Sequence, residues 1–174
     1  GRQCGGQALA EVLFGKVNPS GKLPVTFYAS TYQLPDYEDY RMKNRTYRYF
    51  KGKPLWHFGE GMSYTTFKLG KPVYTPGSVK VNIRYTGKRD GEEVIQVYLR
   101  NVEDADGPLK ALRSFKRVSL KAGESKDVTI PFTKENFEWW DVSSNTMRPV
   151  EGLYVMSVGT DSKSGQQLKI NFEP

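Results

Sequence analysis

The sequence predicts a mainly β fold, a seven-stranded two-sheet sandwich preceded by a helix, a short strand and a long connector. Three observations carry this prediction. From about residue 77 onward, apolar residues recur with a period of two. Short apolar runs there alternate with turn-forming residues as far as the C-terminus. Before that point, one helical pattern and one short apolar run are followed by a stretch with neither period.

The first predicted element is a helix near the N-terminus. Leu9, Val12 and Leu13 share one helical face, and Gly15 stands at the C-terminal capping position. After a turn, the apolar run at 23–27 predicts a short strand. A helix and one strand cannot enclose a core by themselves.

We therefore expect residues 1–34 to be the C-terminal remnant of an α/β sandwich domain. The chain begins without Met or a signal peptide, which favours the tail of a larger protein. On this interpretation the remnant's apolar surface is left abnormally exposed, and the chain tends to self-associate.

Residues 35–76 are predicted to form an ordered interdomain connector. Gly52, Pro54, Gly59 and Gly61 exclude a long helix or strand. The aromatic side chains of this stretch would be unfavourable in water, so we expect them to pack on a neighbouring body. They are Tyr47, Tyr49, Phe50, Trp56, Phe58, Tyr64 and Phe67.

Residues 77–174 are predicted to form the sandwich. The spacing of their runs is typical of immunoglobulin-like or fibronectin III-like domains, and the single cysteine favours the fibronectin-like variant. The run at 92–100 has almost no polar face, which predicts burial on both sides. The predicted strands span 79–86, 92–100, 112–120, 126–132, 137–142, 152–159 and 166–172. The side chains expected inside are Val81, Ile83, Val97, Val128, Ile130, Tyr154, Met156, Ile170 and Phe172.

The charge of the chain limits its partners. The net charge is +7, and almost all of the excess lies before residue 77, where basic and aromatic residues interleave. Nothing nearby resembles a recognition helix or an RNA-binding sheet, so we favour packing of basic side chains over aromatic faces rather than nucleic-acid binding. No apolar stretch approaches the length that spans a membrane.

Few residues could carry chemistry. Asp36, Glu38 and Asp39 form the only acidic cluster before the predicted sandwich, and we favour a solvated loop that balances the arginines after it. His57 has no histidine partner, so neither a metal site nor a catalytic triad is predicted, and no cofactor site is expected. Trp139 and Trp140 point to opposite faces if they lie in a strand, so at least one should be core.

Five motifs carry a family resemblance: GQALAEVLFG at 6–15, NPSGKLPVTF at 18–27, YRYF at 47–50, FGEGMSYT at 58–65 and FKRVSLKAGES at 115–125. On these motifs, the chain resembles the C-terminal region of glycoside hydrolase family 3, including its fibronectin III-like domain. Two departures are visible: Trp56 and His57 replace a more usual Tyr-Pro pair, and Glu60 replaces an aromatic residue between two glycines.

The resemblance implies a retaining exo-β-glycosidase whose catalytic pair lies upstream, so we name no catalytic residue here. The implied partners are the upstream catalytic domains and a β-linked oligosaccharide, from which terminal xylose or glucose is removed. The stretch at 36–50 looks more like the β-xylosidases than the β-glucosidases. Tyr47, Arg48 and Tyr49 are the candidate substrate-proximal residues, against the alternative of interdomain packing. A periplasmic or secreted location is expected. The alternative function is a stand-alone carbohydrate-binding or interaction module.

Overall fold

The computed structural model describes residues 3–174. It contains two short α-helices, ten β-strands and two single turns of 3₁₀ helix, at Thr31–Gln33 and Lys134–Phe137. The helices are α1 (Gly5–Leu13) and α2 (Thr46–Tyr49). The strands are β1 (Phe67–Leu69), β2 (Val73–Thr75), β3 (Gly77–Tyr85), β4 (Gly91–Asn101), β5 (Ala111–Leu120), β6 (Ser125–Phe132), β7 (Glu138–Asp141), β8 (Thr146–Pro149), β9 (Gly152–Gly159) and β10 (Gln166–Phe172).

Two antiparallel sheets form the sandwich. In the first, β3 pairs with β6 on one side and with β1 and β2 in succession on the other. In the second, the order is β10-β9-β4-β5. The hairpin of β7 and β8 is a third, separate pair. All seven strands predicted beyond residue 77 are present, and the mainly β sandwich is confirmed.

The core lies between the inner faces of the two sheets. All nine side chains predicted to be inside are buried, because alternation along each strand places them on the same face. An aromatic cluster closes one end of this core: Phe137 stacks on Phe172 with ring centroids 3.9 Å apart and meets Phe132 edge to face. Such pairs add about 0.5–1.5 kcal/mol each beyond their buried area.

Three short strands escaped the sequence pattern. β1 and β2, within the predicted connector, have three residues each, and their register is supplied by the longer β3 beside them. β8 is formed because the turn after β7 folds it back, with Asn145 at φ +52°. Runs this short show no alternation from which a strand can be inferred.

The prediction of a strand at 23–27 is wrong. Only one isolated bridge forms, between Phe27 and Trp56. The Leu23 N–H also donates to the Glu60 carbonyl over 2.9 Å, and the Gly59 N–H donates to the Leu23 carbonyl over 2.8 Å. This run therefore lies against the irregular residues 55–60, bends at Pro24 and Val25, and forms no continuous ladder, which needs a regular strand as partner.

The predicted N-terminal helix is confirmed, and so is the exposure of its apolar face. Gly15 has φ +69°, and its N–H donates to the Val12 carbonyl, as expected of a glycine that ends a helix. α1 buries no residue: Leu9 and Leu13 are 61% and 68% exposed. The helix is held at its C-terminal end, where the Tyr64 hydroxyl donates to the Val12 carbonyl over 2.7 Å.

Candidate functional site

The connector covers the outer face of β4, which explains why this strand lacks a polar face. Gln96 and Tyr98 point away from the sandwich core but are buried at 3% and 1% exposure. The Gln96 amide donates to the Gly59 carbonyl over 3.1 Å and to the Thr160 carbonyl over 2.7 Å. The Tyr98 hydroxyl donates to the Gln96 amide oxygen, and burial raises the pKa of Tyr98. We call Gly59, Gln96 and Tyr98 the connector clamp.

Tyr47, the first candidate substrate-proximal residue, is packed into the interface. Its ring stacks on Phe58 with centroids 4.0 Å apart, and it meets the edge of Tyr98 at 6.0 Å. Its hydroxyl accepts the Leu112 N–H over 3.1 Å, at the start of β5. The contacts of Tyr47 are those of a packing residue.

Arg48 is held through its backbone and leaves its side chain without a partner. Its carbonyl accepts the Leu109 N–H over 2.6 Å, and its own N–H donates to the Thr46 hydroxyl. No hydrogen bond or ion pair within residues 3–174 involves its guanidinium. Tyr49, the third candidate, is half-buried, and its N–H donates to the Arg45 carbonyl. The structure thus brings the three residues together on α2, with different surroundings.

Arg113 lies next to this helix and was not identified from the sequence. Its guanidinium lies 4.0 Å above the ring of Trp139, a cation–π contact. Burial lowers the pKa of Arg113, and the positive charge of Arg48 lowers it further. Nothing in the stretch around residue 113 marks it in the sequence, since arginine is common on strand surfaces.

A cavity of about 330 Å³ lies between the connector and two loops of the sandwich. Its lining is basic and aromatic and includes Tyr47, Phe58, His57 and Lys110. The Lys110 ammonium donates to the Ser162 carbonyl, and burial lowers the pKa of Lys110. This cavity contains no facing pair of carboxylates.

The acidic cluster is a surface loop that balances the following arginines, as predicted. Asp39 accepts two hydrogen bonds of 2.9 Å from the Arg41 guanidinium, and these lower the pKa of Asp39 to about 2. Arg45 donates instead to backbone carbonyls, that of Asp36 among them. The cation–π packing expected in the connector is absent from the described residues, whose one such contact is that of Arg113.

His57 and Glu60 have a local role. The His57 N–H donates to the Glu60 carboxylate over 2.9 Å, and the Glu60 N–H donates to the His57 carbonyl over 3.1 Å. The two departures from the family pattern thus close the same turn, which carries Gly59 into the connector clamp. In residues 3–174, no group of three or more His, Cys, Asp or Glu is placed to hold a metal ion.

The paired tryptophans divide as predicted. Trp139 packs against the core, and Trp140 is 57% exposed on the other face of β7. Between residues 3 and 174, neither helix has the length and the apolar composition needed to span a membrane.

The sequence indicated the connector clamp only in part. The missing polar face of β4 indicated that a second body covers this strand. Nothing in the sequence showed that the covering body is the connector, or that Gln96 binds it.

Comparisons with known proteins match two parts of the chain to family models. Residues 1–64 match the glycosyl hydrolase family 3 C-terminal domain, and residues 93–162 match the fibronectin type III-like domain. A xylan 1,4-beta-xylosidase of Xylanibacter ruminicola is 51% identical over 166 residues, which cover 92% of this chain and 19% of that protein. A periplasmic beta-glucosidase of Salmonella typhimurium is 35% identical over 184 residues, 94% of this chain and 24% of that protein.

Solved structures agree with the sequence relatives. The crystal structure of a beta-glucosidase from Streptomyces venezuelae in complex with D-glucose matches with a TM-score of 0.87 and 31% identity, over 96% of this chain and 24% of that one. The chain spans about one fifth to one quarter of the length of these relatives. With both domain matches and the sandwich fold in agreement, the chain belongs to glycoside hydrolase family 3 and comprises its C-terminal-domain segment and fibronectin type III-like domain.

Proposed function

We propose that this chain is the accessory, structural part of a retaining exo-β-glycosidase that removes terminal β-linked xylose or glucose from oligosaccharides. The observation that carries the proposal is the connector clamp. It fixes the segment matching the C-terminal domain onto the fibronectin type III-like sandwich through the buried hydrogen bond from the Gln96 amide to the Gly59 carbonyl. The upstream catalytic domains of the same polypeptide are the partner, and the enzyme acts in the periplasm or outside the cell.

A segment exchange tests this proposal. The matching segment of the Xylanibacter ruminicola xylosidase is replaced by this chain, and hydrolysis of an aryl β-xyloside is measured. We expect the chimera to be active, because the two segments are 51% identical over 166 residues. A control chimera receives the same chain with Gln96→Met, which weakens the clamp. A chimera that folds, as judged by thermal unfolding, but does not hydrolyse the xyloside would contradict the proposal.

The isolated chain should be inactive on aryl β-xylosides and β-glucosides. The carboxylates of Asp36 and Asp39 accept local hydrogen bonds on a surface loop, so they do not face each other across a cleft. Turnover that survives repurification and disappears on changing Asp36, Glu38 or Asp39 would place the chemistry in this chain instead.

Tyr47, Arg48 and Tyr49 remain our proposed substrate-proximal residues in the whole enzyme. Arg48 carries most of this proposal, because its guanidinium has no partner within the described chain. In the chimera, Arg48→Ala should raise KM or lower kcat by more than its loss of stability explains. An unchanged kcat/KM would remove Arg48 from the substrate site.

The exposure of Trp140 supports a second candidate function, a carbohydrate-binding module. An exposed indole ring can stack on a pyranose. If the isolated chain binds soluble xylan and Trp140→Ala abolishes this binding, the module is supported. If the wild-type chain shows no retardation by xylan in affinity electrophoresis, it is excluded.

A further inference from the structure

Arg48 and Arg113 come from distant parts of the chain and are brought together by the docking of α2. The Arg48 carbonyl accepts the Leu109 N–H, and the Tyr47 hydroxyl accepts the Leu112 N–H. These two bonds fix α2 over the beginning of β5, where Arg113 follows directly after Leu112. The positive charge of Arg48 lowers the pKa of Arg113.

Neither guanidinium has an ion-pair partner among the residues that the structure describes. The five ion pairs found within residues 3–174 involve neither guanidinium. The Arg113 Nε is buried and has no hydrogen-bond partner in the described part of the chain. The negative charge of Glu138 raises the pKa of Arg113, but the two side chains are not within ion-pair distance. The nearby hydroxyls of Tyr47 and Tyr154 are engaged with the Leu112 N–H and the Val150 carbonyl.

Arg113 is also fixed in orientation. Stacking on Trp139 at 4.0 Å restricts the plane of its guanidinium, and the Asn136 amide donates to its backbone carbonyl over 2.7 Å. A half-buried arginine that is fixed in place, unpaired and next to a second arginine is unfavourable unless an anion joins it. The planar donor fork of a guanidinium fits the two oxygens of a carboxylate.

We propose that Arg48 and Arg113 form a carboxylate-binding site at the junction of the connector and the sandwich. Two sources have this chemistry: a uronic-acid unit of a saccharide, and an Asp or Glu of the upstream polypeptide. The first source rests on the proposed function, since it requires that the enzyme meet β-linked saccharides. The carboxylate bridges the two guanidiniums and removes their mutual repulsion.

The chain itself is titrated with sodium glucuronate, sodium acetate and xylose, and the Nε–H signals of its arginines are followed by NMR. We expect saturable shifts of the Arg48 and Arg113 signals with both carboxylates and none with xylose. Glucuronate binding about tenfold tighter than acetate binding assigns the site to a saccharide; equal affinities assign it to a side-chain carboxylate.

Arg48→Gln is the main variant, because the guanidinium it removes makes no hydrogen bond or ion pair within residues 3–174, so the variant should fold. It should weaken carboxylate binding about tenfold or more. Arg84→Gln removes the same charge from an exposed position on β3 and should leave binding unchanged. The proposal is overturned if no shift occurs, if xylose causes the same shift, or if both variants weaken binding equally. Loss of activity in the chimera would contradict the proposed function without affecting this titration.

Discussion

At the scale of single residues, the chain depends on a few positions where backbone conformation and close approach coincide. Gly59 has φ +76°, and a Cβ at this position would lie 2.1 Å from the Gln96 Oε1 and 2.8 Å from the Tyr98 hydroxyl. Gly123 has nearly the same φ, +79°, but open space around it. The two glycines therefore separate the effect of backbone strain from that of crowding.

Gly59→Ala should destabilise the protein more than Gly123→Ala. The backbone strain, about 1 kcal/mol, is common to both variants. Crowding in the connector clamp adds roughly 1–3 kcal/mol to the first alone. Urea unfolding followed by fluorescence measures the difference. Equal losses of stability would show that the clamp accommodates the added methyl group without further destabilisation.

Asp39 provides a prediction on pH. Hydrogen bonds from Arg41 lower its pKa to about 2 from the ordinary 3.8. The paired state therefore favours the folded loop above about pH 4 and is lost as the pH falls toward 2. In an NMR titration, Arg41→Gln should move the pKa of Asp39 back toward 3.8. A pKa that stays low in this variant would assign the shift to the backbone instead.

At the scale of elements, β4 joins the sandwich core to the connector, because both of its faces are buried. Its inner face contributes to the core, and its outer face holds the connector through Gln96. The Gln96 side chain can be buried because its amide nitrogen donates two hydrogen bonds and its amide oxygen accepts one from Tyr98.

Gln96→Met should cost about 1–3 kcal/mol, because the Gly59 and Thr160 carbonyls lose their buried donor. Gln166→Met, at an exposed position on β10, is the matched control and should change stability little. Thermal unfolding compares the two variants. Hydrogen exchange should show faster opening of the connector in the first, and an unaltered exchange rate there would argue against the clamp.

At the scale of the whole molecule, the N-terminal segment is incompletely covered. Apolar side chains on α1, directly after it and in the run at 23–27 are exposed, Leu13 to 68%, Phe14 to 89% and Val25 to 51%. An apolar surface of this kind favours association, at roughly 25 cal/mol per Å² removed from water.

The isolated chain should self-associate as its concentration rises. Leu13→Glu should reduce the association without altering the unfolding of the sandwich, since α1 buries no side chain. Phe115→Glu, on the exposed face of β5, serves as the control. Sedimentation velocity measures the mass, and a concentration-independent monomer would contradict the prediction.

The sequence by itself determined seven of the ten strands, nine core side chains and the N-terminal helix, because these depend on local periodicity and on capping. The alternation in β3, β6 and β10 is complete enough to assign each inward side chain. Only the tertiary structure decided what the connector contacts. A long-range pair such as Gln96 and Gly59, or Arg48 and Arg113, leaves no periodic trace, because its partners meet through the docking of two bodies. For the same reason the run at 23–27 failed as a strand: a strand exists only with a regular neighbour, and here residues 55–60 are irregular.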